Sequence, residues 1–262
     1  MKKTIVAVVA DTPEKIADAQ RVRNQVFVVE KELLRHGSVT FDRETDEQDA
    51  LDTTLHFLAI VDGAPVATVR LLRPNAEVAR AIGQPLGIDL ASRYDLSPFV
   101  AAGVALAEVS RLCVLPRYRG TTVLNELYLA MHRESLRVGL THWVAAGNAE
   151  TDVLEDAEIA YCLAERDGLV SGRWRVTPWP RAGGAEPSTR PLYSPEERAR
   201  ARAGDLRGLR LPRTLATFAR LAGRFMGRPI QEPGYTVCSL PLVVDLADAE
   251  RSRGFPGSRG SP

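Results

Sequence analysis

The run LHFLAIVDGAPVATVRLL, residues 55–72, sets two β-branched-rich segments on either side of Asp62-Gly63, the strongest short hairpin signal a sequence carries. It fixes two antiparallel neighbours in whatever sheet the chain builds. Ahead of it, residues 4–10 predict a strand. Thr12-Pro13 then reads as an N-cap and first helical position, and Ile16, Ala19, Val26 and Phe27 keep helical spacing in a helix expected to end near Leu34. After the hairpin the periodicity predicts a strand over 107–115, a helix over 122–138, a strand over 142–146 and a helix over 153–166. The order β, α, β-hairpin, β, α, β, α is that of an α/β fold. Residues 73–104, where short helical patterns are broken by glycine and proline, read as a helical excursion.

Beyond this half, residues 174–210 are rich in Arg, Pro and Gly and read as a surface excursion, with one short helix opening at Ser194-Pro195-Glu196-Glu197. A helix over 211–227 and a last strand in YTVCSLPLVVDL, interrupted by Pro241, complete a single domain over 1–247. The tail over 248–262 is expected to be disordered. Over 262 residues, 45% hydrophobic and 26% charged content suit a soluble globular protein with a substantial core. A net charge of +1 argues against a general grip on nucleic acid or membrane, and the basic run RARARAGDLRGLRLPR has no interleaved aromatics and no helix-turn-helix pattern. Cys113, Cys162 and Cys238 are odd in number and without CxxC spacing, so neither a disulfide framework nor a zinc site is suggested, and a reducing, cytoplasmic setting is the simplest reading. The apolar run near the start is cut off by Asp11 before it reaches signal or membrane-spanning length.

Five stretches carry chemistry. Glu44, Asp46 and Asp49 form ExDxxD, with His56 close behind. A solvated acidic loop is the plain reading, and a site that holds a cationic amine or takes its proton is the functional one. Arg23, Phe27 and Glu30 share a helical stripe, and Arg70 lies in a strand where an edge-exposed, snorkelling arginine is the default. In LAEVSRLCV, Glu108 and Arg111 interrupt what otherwise reads as an interior strand, and charges are seldom buried unless paired. Alternation puts Glu108 and Ser110 on one face and Arg111 on the other, so the two can cooperate only across a bulge. Directly after this strand, PRYRGTTV offers Arg117, Arg119, Gly120, Thr121 and Thr122 before a helix, a geometry suited to an anion or phosphate. Ser110 lacks a GxSxG elbow and Cys113 reads as an apolar filler, which disfavours a covalent mechanism.

In this order the motifs resemble the GNAT superfamily, and within it the branch of acyl-homoserine-lactone synthases, long-chain N-acyl amino acid synthases and ornithine-lipid acyltransferases. RxxxF appears as Arg23 and Phe27, ExDxxD as Glu44, Asp46 and Asp49, then His56, Arg70 in VATVRLL, and Glu108 with Arg111 in EVSRLCV. The resemblance covers residues 4–170 and, more loosely, 211–247. The tryptophan that homoserine-lactone synthases carry shortly after RxxxF is absent from VVEKELLRHG, and the RxxGxT turn is similar to the pyrophosphate loop of acyl-CoA users. The resemblance implies a central mixed, mainly antiparallel sheet flanked by helices, with a C-terminal extension. It implies an N-acyltransferase with no tightly bound cofactor and no metal, moving a long-chain acyl group from acyl carrier protein or acyl-CoA to the amine of an amino acid or related small molecule. Glu108 would be the base, Asp46 and Asp49 would position the ammonium group, and Arg70 and Arg111 would order the carboxylates or receive the acceptor's carboxylate. Arg23, Phe27, Glu44 and His56 would shape the acceptor pocket, and Arg117, Arg119, Gly120, Thr121 and Thr122 would meet the donor's phosphate. The rivals are an acetyl-CoA-dependent acetyltransferase, an acyl-homoserine-lactone synthase and a non-catalytic thioester-binding module.

Overall fold

A computed structural model of the chain describes residues 4–33, 39, 40, 42–180, 188–252 and 256. The first strand, β1 (Ile5–Val9), leads to α1 (Pro13–Arg23), which the Thr12 hydroxyl caps by accepting from the Lys15 N–H. A π-helical stretch, Asn24–Glu30, continues α1, so the helical run ends at Glu30; the expected end, Leu34, lies outside the described residues. The small pair β2 (Val39–Thr40) and β3 (Arg43–Glu44) stands apart. The hairpin is β4 (Thr54–Val61) and β5 (Ala64–Leu72), and Asp62 and Gly63 both take positive φ, 51° and 84°. Both central residues of a type I′ turn need that conformation, which is why Asp-Gly stands there.

After α2 (Ala76–Ile82) and α3 (Ser97–Ala101) come β6 (Leu106–Val114), α4 (Val123–Arg137), β7 (His142–Asn148) and α5 (Leu154–Arg166). Then follow α6 (Pro195–Arg202), α7 (Arg213–Arg220), β8 (Arg224–Phe225), β9 (Ile230–Gln231), β10 (Cys238–Asp245) and α8 (Leu246–Arg251). Eight strands make one sheet in the order β1-β4-β5-β6-β7-β10-β8, with β9 also on β10. Every pair is antiparallel except β6 with β7. Alternation along β4 sorts the faces: Phe57, Ala59 and Val61 join the main core with Leu127 and Met131 of α4, whereas Leu58 packs with Ala19 of α1. No helix among the described residues is long and apolar enough to cross a membrane.

Four expectations are corrected. The helix placed over 211–227 stops at Arg220, because Ala222 turns left-handed (φ 65°) and β8 follows; the apolar spacing runs on because Leu221 and Phe225 reach the same core from a turn and a strand. Pro241 does not interrupt β10, whose register with β7 runs from Ser239 to Asp245. Its carbonyl accepts from the Met226 N–H on the β8 side, so its missing N–H falls on that side too and costs the β7 ladder nothing. The segment 174–210 is more than a surface excursion: Trp174 stacks on Phe99 at 4.2 Å between ring centroids, and Tyr193 and Leu209 are buried against Ile159 and Leu163 of α5. The tail is helical over its first residues, with Ala249 of α8 in the core; most of 253–262 lies outside the described residues.

Candidate active site

Strands β6 and β7 pair over only three positions, Leu106 with His142, Ala107 with Trp143 and Glu108 with Val144. Beyond Glu108 they part, while β5 still holds β6 and β10 still holds β7. The gap opens into a cavity of about 1280 Å³ lined by Glu108 through Val114 on one side and by Ala146 and Asn148 on the other. Glu108 therefore stands where the ladder ends.

On its other side β6 carries a bulge, the irregularity without which Glu108 and Arg111 were expected to stay on opposite faces. Ser110 pairs with Arg70 and Cys113 with Thr68, so Arg111 and Leu112 together oppose Val69 alone. Arg111 sits in the left-handed region (φ 55°), which costs a non-glycine residue on the order of 1–2 kcal/mol and points to a conformation held by its contacts.

Those contacts form a closed buried network. Arg23, wholly buried, donates to both Asp49 oxygens at 2.7 and 2.8 Å, to the Glu44 carbonyl at 2.6 Å and to the Glu44 carboxylate. Arg70 donates to Asp46, to Asp49 at 2.7 Å and to Ser110 Oγ at 3.1 Å. Arg111 donates to Glu44 at 3.1 Å, Asp46 at 2.8 Å and the Tyr235 hydroxyl at 2.9 Å. Three arginines thus meet three carboxylates through charge-assisted hydrogen bonds, and the Arg23–Asp49 pair is bidentate, the strong kind of ion pair. Burial alone would raise the Asp49 carboxyl, but Arg23 and then Arg70 outweigh it and hold it well below the usual carboxylate range. Asp46 is lowered in the same way: burial opposes, and Arg70 and Arg111 prevail.

This placement changes several expectations. ExDxxD is not a solvated loop, and Arg70 is neither at an edge nor exposed. Arg23, Glu44, Asp46, Asp49, His56 and Arg70 do not line the cavity; Phe27, Glu108, Arg111, Arg119, Gly120 and Thr121 do. His56 is buried beside Asp49, with Nε2 3.2 Å from the Asp49 carbonyl, and burial lowers its pKa, which favours the neutral ring. Arg119 reaches the cavity but holds Glu30 with two donors, at 2.5 and 2.6 Å, and the Val114 carbonyl at 2.9 Å. Gly120, at φ 75°, makes the turn into α4, and Arg117 and Thr122 are exposed outside the cavity lining. Helix α7 brings Arg213, Thr217 and Arg220 to the same cavity.

The groups closest to Glu108 come from segments that gave no motif. The short turn Asp89–Ser92 caps it: the Leu90 N–H donates to Oε2 at 2.7 Å, and Arg93 Nη2 stands 3.5 Å from Oε1. Arg93 is shared with Asp89 at 2.9 Å and Glu232 at 2.7 Å, and Glu232 also accepts from the Ser239 hydroxyl. Full burial, then the Asp89 charge, push the Glu108 carboxyl up to about 7 despite Arg93. A carboxyl poised near neutrality at the floor of a cavity is suited to moving a proton. Asp89 and Arg93 leave only the i, i+4 spacing in DLASR as a signal, and Glu232 and Tyr235 leave none.

Residues 22–129 match the family model described as an acetyltransferase (GNAT) domain. The match runs from the end of α1 into α4 and takes in less than half of the chain. The L-ornithine N(alpha)-acyltransferase of Rhodobacter capsulatus is 31% identical over 128 residues, 45% of this chain and 46% of that one. The chain thus matches less than half the length of this curated relative. FeeM, an N-acyl amino acid synthase from uncultured soil microbes, has the same fold, with a TM-score of 0.55 over 96% of each chain at 9% identity.

Proposed function

We propose that this GNAT domain transfers an acyl group from a pantetheine thioester, carried by CoA or by an acyl carrier protein, to the amine of an amino acid or a related small molecule. The observation that carries this reading is Glu108, buried at the end of the β6–β7 ladder with its carboxyl near neutrality. The pantetheine arm lies in the gap and completes the missing part of the ladder, because residues beyond Glu108 lack a partner strand on the β7 side. Backbone N–H groups facing the gap meet the thioester oxygen as it gains negative charge.

Glu108 takes the proton that the ammonium group must lose. The freed amine attacks the thioester carbon, the C–N bond forms and the C–S bond breaks, and the second amine proton ends on the leaving thiolate, so that amide and free thiol are the products. Alignment in the cavity supplies much of the rate, since a deprotonated amine is already a competent nucleophile. Glu44, Asp46 and Asp49 serve by holding Arg111 and the bulge in place. The donor phosphate meets Gly120, Thr121 and the N-terminus of α4, with Arg213 and Arg220 of α7 at the same cavity.

A cavity of about 1280 Å³ exceeds the usual small-ligand pocket, which supports an acyl chain longer than acetyl. Docking of a carrier protein on the basic segment 198–213 draws less support. Arg198 pairs with Asp156, Arg202 with Glu155, and both Arg200 and Arg207 with Asp205. The test is thiol release and product mass with long-chain acyl carrier protein, long-chain acyl-CoA and acetyl-CoA, each against pooled amino acids. A long-chain amide is the expected product. Acetylated product alone moves the chain to short-chain acetyltransferases, and binding of a thioester without thiol release withdraws the catalytic reading.

A further inference from the structure

An acceptor amine needs something to hold its other end. Among the cavity's cations, Arg93 and Arg111 are spent on carboxylates, as is Arg119. Arg213 and Arg220 are exposed on α7, and Lys31, half-buried on the lining, offers a single ammonium that cannot grip a carboxylate with two parallel donors. Arg190 differs from all of these. It lines the cavity half-buried, and its guanidinium holds only neutral oxygens, with Nη1 donating to the Lys31 carbonyl at 2.7 Å and to Thr236 Oγ1 at 3.1 Å. Its Nε and Nη2 have no partner among the described residues.

The backbone that presents Arg190 is held with unusual care. Asp152, wholly buried, accepts from the N–H of Arg190 at 2.7 Å, and from the N–H of Thr189 at 2.8 Å and its hydroxyl at 3.0 Å. The hydroxyl of buried Thr151 donates to the Arg190 carbonyl at 2.7 Å. A buried carboxylate that accepts from two successive backbone N–H groups of one loop fixes that backbone, and with it where the guanidinium stands. The wall it stands on is that of the acceptor chemistry: Thr236 follows Tyr235, which accepts from Arg111, and Glu232 on the same loop holds Arg93 beside Glu108.

We infer that Arg190 is the residue that receives the acceptor's carboxylate, and so selects amino acids over simple amines. The inference rests on the acyltransferase reading above. It replaces the expectation that Arg70 or Arg111 would do so, since both are already engaged with Asp46. A guanidinium with two free donors on its outer edge suits a carboxylate bidentately, and an amide or ester in its place loses both the charge and one acceptor.

The experiment compares each amino acid that wild-type protein acylates with its C-terminal amide, following thiol release for wild type, Arg190→Gln and Arg190→Lys. Wild type is expected to prefer acid over amide by tenfold or more in kcat/KM, on the scale of a charge-assisted hydrogen bond. Arg190→Gln, which keeps the backbone N–H that Asp152 holds, is expected to raise KM for the acid about tenfold, to leave the amide unchanged and to erase the preference; Arg190→Lys restores part of it. Equal loss for acid and amide would reduce Arg190 to a structural tie between Lys31 and Thr236 and overturn the inference. So would a wild type that takes amide and acid alike, with the acyltransferase reading left standing. A wild type that acylates no amine withdraws both.

Discussion

At the scale of single residues, the site rests on charges whose values are set by what surrounds them. Arg23 is the linchpin of the buried network, since it alone meets both Glu44 and Asp49 with nearly all of its donors. Removing one partner of a buried ion pair strands the other, at about 3–5 kcal/mol. Arg23→Ala is therefore expected to lower the thermal midpoint strongly, and a midpoint within a degree or two of wild type would show the network to be dispensable. The pH dependence has two limbs. Asp46 and Asp49 are held below their ordinary 3.8, so their stabilisation is present above that pH and is lost as pH falls through the folded-state values. Glu108 works in the opposite sense: its folded value of about 7 exceeds the ordinary 4.5, so stability declines as pH rises between the two. Glu108→Gln should flatten that decline in denaturation curves taken from pH 5 to 8, and an unchanged slope would place the decline elsewhere. Glu108 and Arg111 stood out in the sequence because charge in an apolar strand is rare. The burial of Arg70 did not, since Asp46 and Asp49 reach it from a loop more than 20 residues away and no local pattern encodes that.

At the scale of elements, the decisive feature is where two strands stop pairing. The order of strands and helices was legible from periodicity, whereas the bulge stood only as a condition: alternation sets Glu108 and Arg111 on opposite faces, and cooperation between them required one. The splay itself was not, because β6 and β7 read as ordinary strands and nothing local says that only three pairs form. The end of α7 was misread for a related reason: apolar spacing cannot tell a helix from a turn and strand that feed the same core. Helix α7 sits close on the sheet because β7 has Gly147 beneath it. A Cβ there would stand 2.6 Å from Leu242 Cδ1 and 2.9 Å from Leu215 Cδ2, the latter on α7. Gly147→Ala is expected to cost about 1–3 kcal/mol by overpacking and, by pushing α7 outward, to raise KM for the thioester more than for the amine. An equal effect on both constants would separate α7 from the donor.

At the scale of the whole molecule, segments without motifs surround Glu108 and its cavity, and those that carry Arg190, Glu232 and Tyr235 lie outside the matched 22–129. The excursion between β5 and β6 supplies Asp89 and Arg93, and the chain between β9 and β10 supplies Glu232 and Tyr235. The loop after α5 supplies Arg190, fixed by Asp152 and Thr151. The sheet accounts for the gap and for Glu108, and the proposed acceptor choice depends on parts that sequence motifs do not reach. The proposed reaction turns on one carboxyl, Glu108, as its base. The most direct measurement is the pH profile of kcat/KM, by thiol release with one acyl-CoA and one acceptor, for wild type and Glu108→Gln. Wild type should rise through pH about 7 and level off, and the variant should lose about 10²–10⁴-fold together with that limb. A variant that keeps both the rate and the rise through neutrality would contradict the account.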